Sequence, residues 1–135
     1  MNNVNFNELC KDSIMIFART YFPKYIGADP AEFHREMCSL LETMSRERGK
    51  KLAVAAPRGH AKSTLVSLVY VLWSVCYERE KYILILSDTN DQADGLLKHV
   101  KDELEANERL RRDFPDVCLT DDDKKMPLWT KDEIV

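Results

Sequence analysis

Residues 51–77 read KLAVAAPRGHAKSTLVSLVYVLWSVCY. A short apolar run, 51–56, stops at Pro57 and a polar loop, and residues 63–77 then carry no charged side chain. The first run is short, apolar and followed by proline, and it reads as a buried strand. The second is too short for a membrane span, which needs about 20 apolar residues, and reads as a helix buried on several sides. A second apolar run, KYILILSD at 81–88, and a helical pattern after Thr89 repeat the alternation. Strand–helix–strand crossovers give parallel strands covered by helices. The expected fold class is α/β: a parallel sheet with flanking helices, incomplete because only two strands are clear, preceded by an N-terminal helical segment.

The helices are read from spacing and caps. Residues 6–21 place Phe6, Cys10, Ile14 and Phe17 on one face of one helix. Pro23, Gly27 and Pro30 break that pattern. Asp29 is placed to cap the next helix, with Pro30 in its first turn and Glu32 completing a capping box. Phe33, Met37, Leu41 and Met44 form its apolar stripe, and Gly49 is a stop signal. Thr89 and Gln92 make another capping box before Ala93, Leu96, Leu97, Val100 and Leu104 at helical spacing. On that helix Lys98, Lys101, Asp102, Glu103 and Glu105 read as a solvated face. His99 reads as a surface residue and Trp73 as core. Asp121–Asp123 read as a solvated loop, and Trp129 follows Pro127 in the last ten residues.

The loop between the first run and the helix is a deviant phosphate-binding loop. The pattern G-x-x-x-x-G-K-[ST] is met with Ala56 and Ala61 in the glycine places, then Lys62 and Ser63. A strand must deliver the chain to a turn of exposed N–H groups, and a helix must begin there with its positive end toward the anion. Residues Ala56, Pro57, Arg58, Gly59, His60, Ala61, Lys62, Ser63 and Thr64 are the candidate phosphate cradle. Lys62 would reach the β- and γ-phosphates of ATP, and the Ser63 hydroxyl would ligate Mg²⁺. A methyl at Ala61 is tolerable where φ stays negative; Gly59 remains to take the strained conformation.

Composition sets outer bounds. The chain has 135 residues and a net charge of −3, so it carries no basic footprint of a dedicated DNA-binding domain. Cys10, Cys38, Cys76 and Cys118 form no close pair, which argues against a zinc site and for four reduced thiols.

The whole run from 51 to 116, with FHREM at 33–37, resembles the large terminase subunit of tailed bacteriophages and prophages. The likeness covers about Phe17 to Val135. It rests on the deviant loop with Arg58 four residues before Lys62, on the SDT end of the second run with the helix that follows, and on FHREM. The resemblance implies the P-loop NTPase fold of the RecA-like (ASCE) class and an ATPase that drives viral DNA into the procapsid. It implies that Lys62 and Arg58 are catalytic, Arg58 acting on the γ-phosphate in cis. His34 and Arg35 stand where the family carries its adenine motif. It divides the chain into a helical segment with that motif, 1–48, and a partial ATPase core, 49–135, with the nuclease domain absent. Its partners are double-stranded viral DNA, a portal protein, a small terminase subunit and further copies in a ring, in the cytoplasm of a bacterial host and with no membrane. An active ATPase of this class needs a later apolar strand ending in Asp-Glu, which is not found here. Two alternatives stay open: a non-catalytic prophage remnant, or another P-loop NTPase such as a helicase, in which Asp88 would lie near the metal. An exposed edge on a half-built sheet also predicts self-association.

Overall fold

A computed structural model describes residues 6–27, 29–59 and 61–118. Among the described residues the chain is helical, with 61% in helices and neither a β-strand nor a sheet. The expected parallel-sheet α/β, P-loop NTPase architecture is therefore overturned. The physical reason is pairing. A strand exists only through hydrogen bonds to a neighbour, and the backbones of 51–56 and 81–87 bond to no other described backbone. The two runs keep only a one-sided burial. Leu52, Val54 and Ala56 are half-buried while Lys51, Ala53 and Ala55 are exposed.

The chain forms two compact units, Met1–Arg79 and Glu80–Val135. The first holds α1 (Phe6–Asp12), α2 (Ile14–Tyr21), α3 (Glu32–Arg46), α4 (Lys62–Thr64) and α5 (Tyr70–Cys76). A π-helical turn, Leu65–Val69, joins α4 to α5 without a break. Its mark is the Tyr70 N–H, which donates to the carbonyl of Leu65, five residues back.

The single helix expected over 6–21 is two. Ser13 interrupts it, and its hydroxyl accepts from the Ile16 N–H at 3.4 Å as the cap of α2. Serine competes with helix hydrogen bonds in this way. Cys10, Ile14 and Phe17 keep their shared burial, whereas Phe6 is exposed. The break leaves carbonyls at the end of α1 to be satisfied. Side chains from distant positions do this: Trp73 Nε1 donates to Cys10 O at 2.9 Å, an Arg79 Nη to Lys11 O at 2.8 Å, and an Arg46 Nη to Asp12 O at 3.4 Å. The Glu42 carboxylate of α3 accepts from the Ile14 N–H at 2.7 Å and holds the start of α2.

Around these bonds lies an aromatic core. Phe17 meets Tyr21, Phe22 and Tyr77 at centroid distances of 4.9, 5.7 and 5.9 Å. Leu65, Val69, Leu72 and Trp73 from the apolar helix are buried, as its lack of charge predicts. Each such side chain contributes about 1.5–3 kcal/mol by burial.

The cap expected for α3 is corrected. Ala31 holds the cap position with no side-chain bond, and Asp29 pairs instead with Arg35 at 3.5 Å. Gly49 lies beyond the helix end with φ +77°, a conformation open to glycine.

The second unit holds α6 (Asn90–Ala106) and α7 (Glu108–Asp113). Thr89 caps α6 as expected, accepting from the Gln92 N–H at 3.3 Å. The Gln92 side chain bonds Ser87 Oγ at 2.9 Å, so the reciprocal half of the box is not made. Val100 and Leu104 are buried as the spacing predicts. Lys101 and Glu103 are buried too, which corrects the solvated face expected for them. Glu103 accepts from Asn107 Nδ2 at 2.9 Å. Asn107 also caps α7, accepting from the N–H groups of Arg109 and Leu110. His99 is exposed. Among the described residues no helix is long and apolar enough to cross a membrane. Asp121–Asp123 and Trp129 lie outside the described residues.

Candidate functional site

The candidate cradle lies between Ala56 and Thr64, and its geometry follows from where the helix can begin. Pro57 has no N–H to donate. Gly59 turns the chain with φ +84°. Ala61 follows with φ +52° and ψ +20°, the left-handed region, and the helix starts at Lys62. The condition under which the methyl would be tolerated, a negative φ at Ala61, is thus not met. The methyl group is held where a glycine is at ease, at a cost of about 1–2 kcal/mol. Strain of this kind persists only where the surroundings over-determine it.

The turn has a chemical consequence. A left-handed residue followed by a right-handed one aims successive N–H groups into a concavity that suits an anion. The helix behind it runs from Lys62 to Cys76 through the π-helical turn, so its positive end faces the loop. The Leu65 N–H is already used, donating to Ala61 O at 2.9 Å.

Lys62 bends back over the loop. Its Nζ lies 3.5 Å from the carbonyl oxygen of Ala56, a long hydrogen bond from the helix start back to the first residue of the cradle. Lys62 as a whole is half-buried there. Pro57, Arg58, Gly59 and Ser63 are exposed, and Thr64 is half-buried. His60 lies outside the described residues.

The adenine candidates sit on α3. His34 is half-buried beside Phe33, with ring centroids 5.7 Å apart. Arg35 is exposed and turned to Asp29. The structure therefore joins Ala56 to Lys62 but commits Arg35 to a carboxylate. Among the described residues no three His, Cys, Asp or Glu side chains gather as a metal site. The Ser63 hydroxyl is a hard oxygen donor at the helix start and suits Mg²⁺ shared with phosphate oxygens.

The four cysteines are free thiols, each buried. Burial, with the Glu42 carboxylate adding to it, pushes the Cys38 thiol up to about 12. Burial also raises that of Cys118, against the opposing charge of Arg111. No protein-family model matches the chain, and no curated protein or solved structure matches it either.

Sequence reasoning missed the pairing of Arg35 with Asp29. No helical spacing signals it, since Asp29 precedes the helix and stands six residues from Arg35. It also missed the sign of φ at Ala61, because an alanine carries no local mark of a left-handed conformation.

Proposed function

We propose that the chain binds Mg-ATP through residues 56–64 and serves as the ATP-binding portion of a phage terminase large subunit. ATP hydrolysis by that subunit drives viral DNA into the procapsid. The observation that carries the reading is the closure of the loop by Lys62 over Ala56 O at the start of a buried helix. An ammonium held there by one long hydrogen bond is ready to exchange a carbonyl for phosphate oxygens, which bind it more strongly. The backbone N–H groups at the left-handed turn orient the anion, and the Ser63 hydroxyl would share the Mg²⁺ ion. Arg58, exposed in the loop, would steady charge on the γ-phosphate. His34 would contact the adenine, whereas Arg35 must first leave Asp29.

The resemblance supplies the remaining partners: double-stranded DNA, a portal protein, a small terminase subunit and further copies in a ring, in the bacterial cytoplasm. Thermal unfolding tests the site. Mg-ATP raises the midpoint of the wild-type chain and leaves that of Lys62→Ala unchanged, since only a ligand of the folded state shifts stability. An equal shift in both proteins would remove the loop from the account.

One observation favours a second reading, a non-catalytic protein that associates without turnover. Ala61 holds a strained conformation that glycine would hold freely. Failure of both proteins to respond to any nucleotide would support it.

A further inference from the structure

The helix that begins at Lys62 carries one turn that is too wide. Leu65–Val69 is π-helical, and the Tyr70 N–H donates to Leu65 O rather than to Val66 O. Such a turn is an α-helix with one residue inserted; it is rare and frequent at functional sites. Residues before it therefore stand one position, about 100° and about 1.5 Å, from their places in an unbroken α-helix.

The two sides of the turn are held unequally. Beyond it, Trp73 Nε1 donates to Cys10 O, Tyr77 Oη to Asn7 O and an Arg79 Nη to Lys11 O, at 2.9, 2.9 and 2.8 Å. The helix end is closed by the Glu78 N–H on Val75 O at 3.2 Å and the Arg79 N–H on Ser74 O at 2.8 Å. Before it, Lys62 is tied to Ala56 O by a bond of 3.5 Å, and Ala61 is strained at φ +52°.

Closing the π turn to α slips the N-terminal side by one residue. Ser63 then takes the place of Lys62, Thr64 the exposed place of Ser63, and Val66 the buried place of Leu65. A hydroxyl replaces a hydroxyl and an aliphatic side chain an aliphatic one, so the sequence tolerates both registers. What changes at the loop is the group beside Ala56 O, an ammonium in one register and a hydroxyl in the other. The residue released from the turn joins the loop, and that slack lets Ala61 leave its strained conformation.

We propose that the π turn is a register switch for the cradle. The chain exchanges between the π register, with Lys62 at Ala56 O, and an α register, with Ser63 there. Phosphate binds the ammonium and draws the exchange to the π register, since a ligand shifts an equilibrium by its differential affinity for the two states. The inference rests on the reading of residues 56–64 as a phosphate site.

Amide relaxation dispersion on the full chain reads exchange of this kind. In the free protein it is expected at residues 62–69 and not at 73–76, and saturating Mg-ADP quenches it. Deletion of Val66 supplies a second readout. It removes the inserted residue, so an ordinary α-helix joins the two sides as the π turn does, with Leu65 still buried. This variant is expected to keep its helical circular dichroism and a thermal midpoint no lower than wild type. It shows no exchange without ligand and binds Mg-ADP no more weakly. In a helix without the π turn the same deletion would rotate the loop by about 100° and lower both the midpoint and the affinity. A free chain without exchange at 62–69, exchange that bound Mg-ADP leaves unchanged, or a deletion variant with a lower midpoint or weaker binding would each overturn the switch and leave the phosphate site standing. Failure of Mg-ADP to bind the wild-type chain would instead overturn the phosphate site, and the switch with it.

Discussion

Lys62 Nζ lies 3.5 Å from the carbonyl oxygen of Ala56, so the first residue of the helix reaches back to the first of the loop. The contact exists because Gly59 and Ala61 both turn left-handed within three residues. That geometry makes the loop a defined object rather than a polar connection.

Ala61 gives the first prediction. Its φ of +52° is strained for a residue with a Cβ. Ala61→Gly relieves that strain but frees the unfolded chain, for a net gain of roughly 0.5–1 kcal/mol. Urea unfolding should show a higher midpoint with an unchanged slope. A lower midpoint would mean that Ala61 is not held left-handed in solution.

Gly59 should behave in the opposite sense. At φ +84° any side chain is strained, although no atom stands within 4 Å of an added Cβ. Gly59→Ala therefore costs about 1 kcal/mol through backbone alone, measured in the same unfolding experiment. A neutral result would place the turn elsewhere.

Trp73 ties the end of α1 to the buried helix. Its indole N–H satisfies Cys10 O, and the Arg79 guanidinium lies 4.9 Å from its ring. Trp73→Phe leaves a buried carbonyl without its donor, at about 1–3 kcal/mol. Trp73→Ala adds a cavity and costs about 3–5 kcal/mol. Calorimetric midpoints should fall in that order.

How much of this was legible in the sequence divides by the range of the interaction that decides it. The buried helix, the core position of Trp73 and the Thr89 cap follow from spacing and from bonds a few residues long. The two apolar runs were misread because a strand is a property of a pair, and five apolar residues do not state whether a partner lies beside them. The break at Ser13 and the short helix behind Asn107 turn on single caps. Asn107 before Glu108 was a readable signal for the second. In the site, Gly59 announced its turn. Ala61 did not, since its conformation is imposed by the residues around it.

Cys38 predicts a pH dependence. Its thiol is raised to about 12 in the folded chain from the ordinary 9.0. Below pH 9 the thiol is protonated in both states and nothing changes. Between pH 9 and 12 the unfolded chain releases its proton and the folded one keeps it, so stability falls as pH rises. Cys38→Ala should flatten that part of the curve. Iodoacetamide should also modify Cys38 slowly in the native chain and rapidly in urea, because the thiolate is the reactive form.

The most direct test is calorimetric titration of Mg-ADP into the chain and into Lys62→Ala. The account predicts saturable binding to the first and none to the second, with circular dichroism unchanged by the substitution. Equal binding by both, or no binding by either, would contradict a phosphate site between Ala56 and Thr64.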